Sequence, residues 1–107
     1  MNAKLREVLD LIKSNEPGEV AKKLMNMLNN DPKITKVFAD NSAFSLDKPQ
    51  FVIAQEFKEY DKNEQGKYEE THRGIVVKLI YNSYILELIF YEMENDMASV
   101  DYHILRQ

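Results

Sequence analysis

The stretch from Gly74 to Tyr91, GIVVKLIYNSYILELIFY, constrains the fold more than any other part of this chain. Apolar residues alternate along both of its halves, which is the period-two pattern of β-strands. Asn82 and Ser83 separate the halves, and both residue types tolerate the backbone angles of a tight turn. The stretch therefore predicts two antiparallel strands, over residues 71–81 and 84–93, joined by a two-residue turn.

The predicted turn sets a register that places apolar residues opposite each other on both faces of the hairpin. On one face the pairs are Ile75 with Phe90, Val77 with Leu88, and Leu79 with Leu86. On the other face they are Val76 with Ile89, Lys78 with Glu87, and Ile80 with Ile85. Because a solvated sheet face is normally polar, the second face is expected to be covered, either by the chain itself or by a partner.

The N-terminal third of the chain predicts three helices. Residues 2–14 carry apolar side chains at the i, i+3, i+4, i+7 spacing of one helical face. Pro17 is placed to open a second helix that runs to about Asn30. Asp31 and Pro32 match the N-cap and first residue of a short third helix. Helices are therefore expected over most of residues 2–38, followed by a loop over residues 40–49.

Two further strands complete the predicted sheet. The first covers residues 50–58, with Phe51, Ile53 and Phe57 on one face and Val52 and Ala54 on the other. The last covers residues 97–105, and an even register places Phe90 opposite Val100 and Leu88 opposite Tyr102. We therefore expect one α+β domain, residues 1–107, with three N-terminal helices packed on one face of a four-stranded antiparallel β-meander. Cystatin-like and cone-shaped α+β folds use similar parts, a comparison of fold alone.

Composition limits the compartment and the kind of chemistry. The chain contains no cysteine, so it has no disulfide framework, no thiolate metal site and no cysteine nucleophile. The first residues are charged throughout and lack the apolar core of a signal peptide. No apolar run approaches the roughly 18 residues that a membrane span needs. These observations predict a cytoplasmic protein without a membrane partner.

The net charge of −4 is unevenly distributed along the chain. Residues 1–36 hold seven Lys and Arg against five Asp and Glu, whereas residues 37–107 hold seven against thirteen. Phosphate contacts need Lys and Arg, so the acidic part argues against nucleic acid as a partner. It favours a partner protein with a basic surface.

The acidic stretch from Lys58 to Glu70, KEYDKNEQGKYEE, is the expected connection between the first two strands. Tyrosine is favoured at protein interfaces, which suggests a charged arm that contacts a partner; the alternative is a solubilising loop. The residues predicted to bind the partner are Glu59, Tyr60, Asp61, Glu64, Tyr68, Glu69 and Glu70.

The second face of the central hairpin is a separate predicted contact surface. Its members are Val76, Ile80, Ile85, Ile89 and Tyr91. Each predicted helix has one apolar stripe, and the inner face of the sheet already uses those stripes. The simplest prediction is a two-fold homodimer in which two sheets meet back to back; the alternative is that this face receives a different protein.

Catalytic and cofactor motifs are missing from the sequence. The three glycines have no phosphate-binding spacing, and neither a zinc-peptidase motif nor a nucleophile elbow occurs. His72 and His103 are expected to lie roughly 20 Å apart, too far to share one metal ion. Lys78, Glu87 and His103 form a weak polar row, interpreted as a cross-strand salt-bridge ladder or as a proton-transfer site. His72 is expected near Glu56. We predict no cofactor and no metal site.

Two functions are compatible with these observations. The first is a non-catalytic protein-binding module: a small acidic inhibitor or immunity-type protein, of the kind that phages and bacteria use against defence proteins or nucleases. It would block a basic surface of its partner. The alternative is a small-molecule-binding or enzymatic domain with a pocket between helices and sheet, drawing on Tyr81, Tyr84 and Tyr102. A deep pocket with convergent polar groups favours the alternative, and a packed interior favours the binding module.

Overall fold

The computed structural model describes residues 1–28 and 48–107, which form two helices and a four-stranded sheet. The helices are α1 (Ala3–Lys13) and α2 (Pro17–Met27). The strands are β1 (Phe51–Lys62), β2 (Tyr68–Ile80), β3 (Tyr84–Glu92) and β4 (Ala98–Arg106). All neighbouring strands pair antiparallel in the order β1-β2-β3-β4. The predicted four-stranded antiparallel meander is therefore confirmed.

The prediction of three helices is wrong, because the structure shows two helices over its described ranges. The stretch assigned to a third helix, Asp31 to Phe38, lies outside those ranges, as does the predicted loop up to residue 47. The apolar spacing behind that prediction, Ile34, Val37 and Phe38, covers only one turn.

The sheet buries its inner face against both helices. Leu5 and Val8 of α1 and Val20 and Leu24 of α2 lie in one apolar cluster with the inward side chains of the sheet. The predicted register of the central hairpin is confirmed for every pair named above, as is Phe90 opposite Val100. The inward residues of β2 and β3 are less than 2% exposed: Ile75, Val77, Leu79, Leu86, Leu88 and Phe90.

The register of β1 decides which of its faces is buried. Val52 lies opposite Leu79, and Ala54 lies opposite Val77, so both point towards the core. Phe51 and Ile53 consequently stand on the opposite side of the sheet. That side, opposite the helices, is called the outer face below.

Asn2 connects the start of α1 to the turn between β3 and β4. Its side-chain oxygen accepts a hydrogen bond from the Leu5 N–H at 3.1 Å, which caps the helix. Its amide nitrogen donates to the carbonyls of Met93 and Met97, at 3.2 and 2.9 Å. Asn95 and Asp96 in that turn have positive φ angles, 59° and 56°, as a two-residue hairpin turn requires. One side chain therefore holds the helix against the far end of the sheet.

No helix within the described ranges is long and apolar enough to cross a membrane.

Replacing Asn2 by Ala is expected to lower the free energy of unfolding by about 1–2 kcal/mol, because the cap and both bonds to the turn are lost. Urea unfolding followed by circular dichroism measures this change. The matched control is Asn26→Ala, at an exposed position on α2, where a change within about 0.5 kcal/mol is expected. Equal stability of the two variants would contradict the role assigned to Asn2.

Candidate protein-interaction surfaces

The strand register arranges the outer face in four rows that cross the sheet. In order from one end, the rows are Phe51–Ile80–Ile85–Leu105, Ile53–Lys78–Glu87–His103, Gln55–Val76–Ile89–Asp101 and Phe57–Gly74–Tyr91–Ser99. The first row is apolar across all four strands. The five residues predicted to form a partner or dimer face, including Val76 and Tyr91, all lie in these rows.

Several large apolar side chains of the outer face are exposed. Phe51 is 62% exposed, Ile53 50% and Leu105 43%. Ile80 and Ile85 lie between them in the same corner of the sheet and are half-buried. Contiguous apolar patches of this kind mark interaction sites on soluble domains. Burial of each such side chain is worth about 1.5–3 kcal/mol, so a contact across this face would be strongly favoured.

One charged row divides the apolar surface. The Lys78 ammonium lies 3.8 Å from one Glu87 carboxylate oxygen, and His103 Nδ1 lies 3.1 Å from the other. The predicted proximity of these three side chains is confirmed. Opposite charges on adjacent strands attract each other, and the arrangement is that of a salt-bridge ladder. It also gives the outer face a defined charge pattern across its middle.

The first two strands continue past the other two as a two-stranded ribbon, residues 58–73, called the arm. β2 pairs with β3 only as far as Gly74, whereas it pairs with β1 as far as Tyr68. Apart from Asn63, which is half-buried, every arm residue is exposed. The prediction of a connection between strands over Lys58–Glu70 is therefore wrong for most of its length. Backbone pairing continues there although neither face is covered.

The tip of the arm is built around Asn63. Its side-chain oxygen accepts hydrogen bonds from the backbone N–H groups of Gln65 and Lys67, both at 3.0 Å. Gly66 has a φ of +76°, the left-handed conformation that glycine adopts most readily. Glu64, one of the predicted binding residues, lies in this turn. The tip is thus an ordered turn that holds the two strands together at their far end.

The side chains of the arm point to two sides, and both tyrosines lie on the same one. Glu59 pairs with His72 and Asp61 with Glu69, continuing the outer face. Tyr60 pairs with Glu70 and Lys62 with Tyr68 on the other side. The Lys62 ammonium lies 5.4 Å from the centre of the Tyr68 ring. The residues predicted as one binding group are therefore divided, with Glu59, Asp61 and Glu69 together on the outer side.

A β-bulge shifts the register within the arm. Glu59 is opposite His72 and Tyr60 is opposite Glu70, which leaves Thr71 as the extra residue. The Thr71 hydroxyl lies 2.9 Å from the Asp61 carboxylate. The expectation that His72 lies near Glu56 is wrong: Glu56 pairs with Ile75, and His72 Nδ1 lies 3.4 Å from a Glu59 carboxylate oxygen.

The base of the arm is tightly packed around Gly74. The Phe57 and Tyr91 rings lie in the same row on either side of Gly74 and meet edge to face, with centroids 5.5 Å apart. A Cβ atom at position 74 would overlap the backbone carbonyl of Phe90 and approach the Phe57 ring to 2.9 Å. Only glycine fits at this crossing.

Arg73 pairs with Glu70 on the aromatic side of the arm. Its Nε donates a hydrogen bond to the Glu70 carboxylate. This bond and the negative charge of Glu70 raise the pKa of Arg73 above its ordinary value. An open groove of about 420 Å³ adjoins Arg73, between the N-terminal end of α1 and residues 56–58 of β1.

An apolar cluster of side chains lies between the helices and the sheet in the described part of the chain. Tyr81, which the alternative function would place in a pocket there, is 2% exposed and belongs to the core. Tyr84 and Tyr102 pack against the same core and are partly buried. These three tyrosines therefore pack in or against the apolar core.

Sequence reasoning missed several residues of these surfaces. Phe51 and Ile53 were placed on one face of the first strand without that face being identified as the outer one. The sequence did not determine where the connection between the first two strands begins and ends, so the pairing register of β1 could not be predicted. The spacing of Asn63 and Gly66 is a turn signal. A turn placed there predicts a longer hairpin of β1 and β2 and the register of the two strands.

Gly74→Ala is expected to lower the free energy of unfolding by about 1–3 kcal/mol, since the added methyl group must displace the Phe90 backbone. Thermal or urea unfolding measures this loss. The control is Gly18→Ala in α2, where the new Cβ meets only the flexible side chain of Lys48 and alanine favours the helix. Equal effects at both positions would show that the arm base is not close-packed.

Comparison with known proteins finds no family model, curated protein or solved structure that matches the chain. Its function has to be inferred from the outer face and the arm.

Proposed function

We propose that the chain is a non-catalytic protein-binding module that uses the outer side of its arm to block a basic surface of a partner protein. The observation that supports this function is the position of Glu59, Asp61 and Glu69. Their carboxylates lie on one side of a ribbon that projects from the sheet, with both strands exposed.

The form of the arm suits recognition. Its backbone is already paired along both strands, so little conformational freedom is lost when a partner binds. The carboxylates raise the rate of encounter with a basic surface through long-range attraction. Tyr60 and Tyr68, which are 54% and 69% exposed on the other side, can add contact area where a partner wraps around the arm.

A small acidic inhibitor or immunity-type protein is the class that we infer from these features. Such a protein acts by occupying a surface, so it needs a projecting charged element on a stable base. We include in this proposal a cytoplasmic location and a partner from a bacterial or phage defence system, such as a nuclease. The net charge of −4 supports the choice of a basic partner.

The test neutralises the outer side of the arm with Glu59→Gln, Asp61→Asn and Glu69→Gln in one variant. A second variant carries Glu7→Gln, Asp10→Asn and Glu19→Gln, three exposed helix positions with the same change in charge. Each protein is immobilised and exposed to lysate of the organism that encodes it, and bound proteins are quantified by mass spectrometry. A basic protein should be captured by wild type and by the helix variant but not by the arm variant.

The captured protein then allows a kinetic test. Its association rate with the arm variant should be at least about tenfold slower than with wild type at low ionic strength, and this difference should shrink with added salt. The helix variant should associate at nearly the wild-type rate. Equal capture by both triple variants, or a loss of capture by both, would refute a role for the arm.

A further inference from the structure

We propose that the outer face is the interface of a two-fold symmetric homodimer whose axis runs parallel to the strands, between β2 and β3. The observation behind this proposal is that the outer face is complementary to itself about that line. It requires neither a second protein nor the proposed function of the arm.

In such a dimer, each row of the outer face lies against the same row of the other copy. Rotation by half a turn places every β2 residue over the β3 residue of the same row in the other copy. Ile80 of one copy faces Ile85 of the other, and Val76 faces Ile89. At the edges of the sheets, Phe51 faces Leu105. The apolar first row and the Val76–Ile89 pair therefore cover their counterparts, whereas at the sheet edges Ile53 faces His103 and Gln55 faces Asp101.

The charged row selects this axis over others. Lys78 of one copy faces Glu87 of the other, so the two intrachain pairs, 3.8 Å apart within each copy, become a group of four alternating charges. An axis along the charged row, at right angles to the strands, would instead place Lys78 against Lys78 and Glu87 against Glu87. Facing like charges are destabilising, and buried charge pairs serve best to specify one arrangement among several.

The size and shape of the outer face suit a stable dimer. Face-to-face sheets pack about 10 Å apart with their strands within about 30° of each other, and this axis produces that aligned arrangement. The four rows of four outward positions approach the roughly 20–30 residues that each partner contributes to a specific interface. The adjoining base of the arm extends the same surface.

The direction of the axis has a consequence for the arms. Rotation about a line parallel to the strands leaves the strand direction unchanged, so both arms project from the same end of the dimer. The outer side of each arm continues the outer face, so the two acidic sides turn towards the space between the arms, and a basic target would have to enter there to contact both. Two linked contacts increase the overall affinity without any new contact.

Sedimentation equilibrium tests the dimer without any partner. Wild type should reach the dimer mass by about 100 μM, and Ile80→Lys or Ile85→Lys should weaken association by at least about tenfold. The control is Ile104→Lys, at a 39% exposed position on the other face of β4, which should remain dimeric. Circular dichroism establishes that each variant is folded. A wild type that stays monomeric overturns the proposal, as does a dimer unaffected by both outer-face variants.

A distance between the two arm tips tests the axis. The chain has no cysteine, so Gln65→Cys carries a single nitroxide label at the tip, and electron-electron double resonance measures the separation. Arms at the same end should give roughly 15–30 Å, from the strand and sheet spacings. A separation longer than the 50 Å length of one copy would place the arms at opposite ends and overturn the axis. A monomer whose outer isoleucines are protected by another part of the chain overturns the interface as well.

Discussion

The packing of the inner side chains of β2 and β3 on each other and on the helices is the interaction that the rest of the structure depends on. Ile75 with Phe90, Val77 with Leu88 and Leu79 with Leu86 are all less than 2% exposed. Each buried side chain of this size contributes about 1.5–3 kcal/mol. The helices cover this layer, and β1 and β4 extend it on either side by antiparallel pairing.

The same two strands also explain the unusual outer face. Their near-continuous apolar sequence is typical of strands that are buried on both sides. The helices in the described part of the chain pack on one side only, and the other side carries Ile80, Ile85 and Ile89 around one charged row. A strand sequence typical of two covered faces, in a sheet whose described helices cover one, is the observation on which the proposed contact across the outer face rests.

The sequence predicted the centre of the sheet well because local signals determine it. The turn at Asn82 and Ser83 sets the register, and the alternation of apolar residues agrees with that register along both strands. Most of the arm, residues 59–70, was not predicted as strand, since it shows no apolar alternation and is held by backbone pairing. The outer position of Phe51 and Ile53 depended on that pairing and on the bulge at Thr71, neither of which has a local hydrophobic signal.

The exposure of the arm separates the recognition that we propose for it from folding, in evolutionary terms. Apart from the half-buried Asn63, its side chains are exposed, and they lie outside the hydrophobic cluster that holds the helices to the sheet. Substitutions at such surface positions usually change stability by no more than about 0.5 kcal/mol. A lineage could therefore replace Glu59, Asp61 or Tyr68 repeatedly, and follow a changing target, while the fold that carries them stays the same.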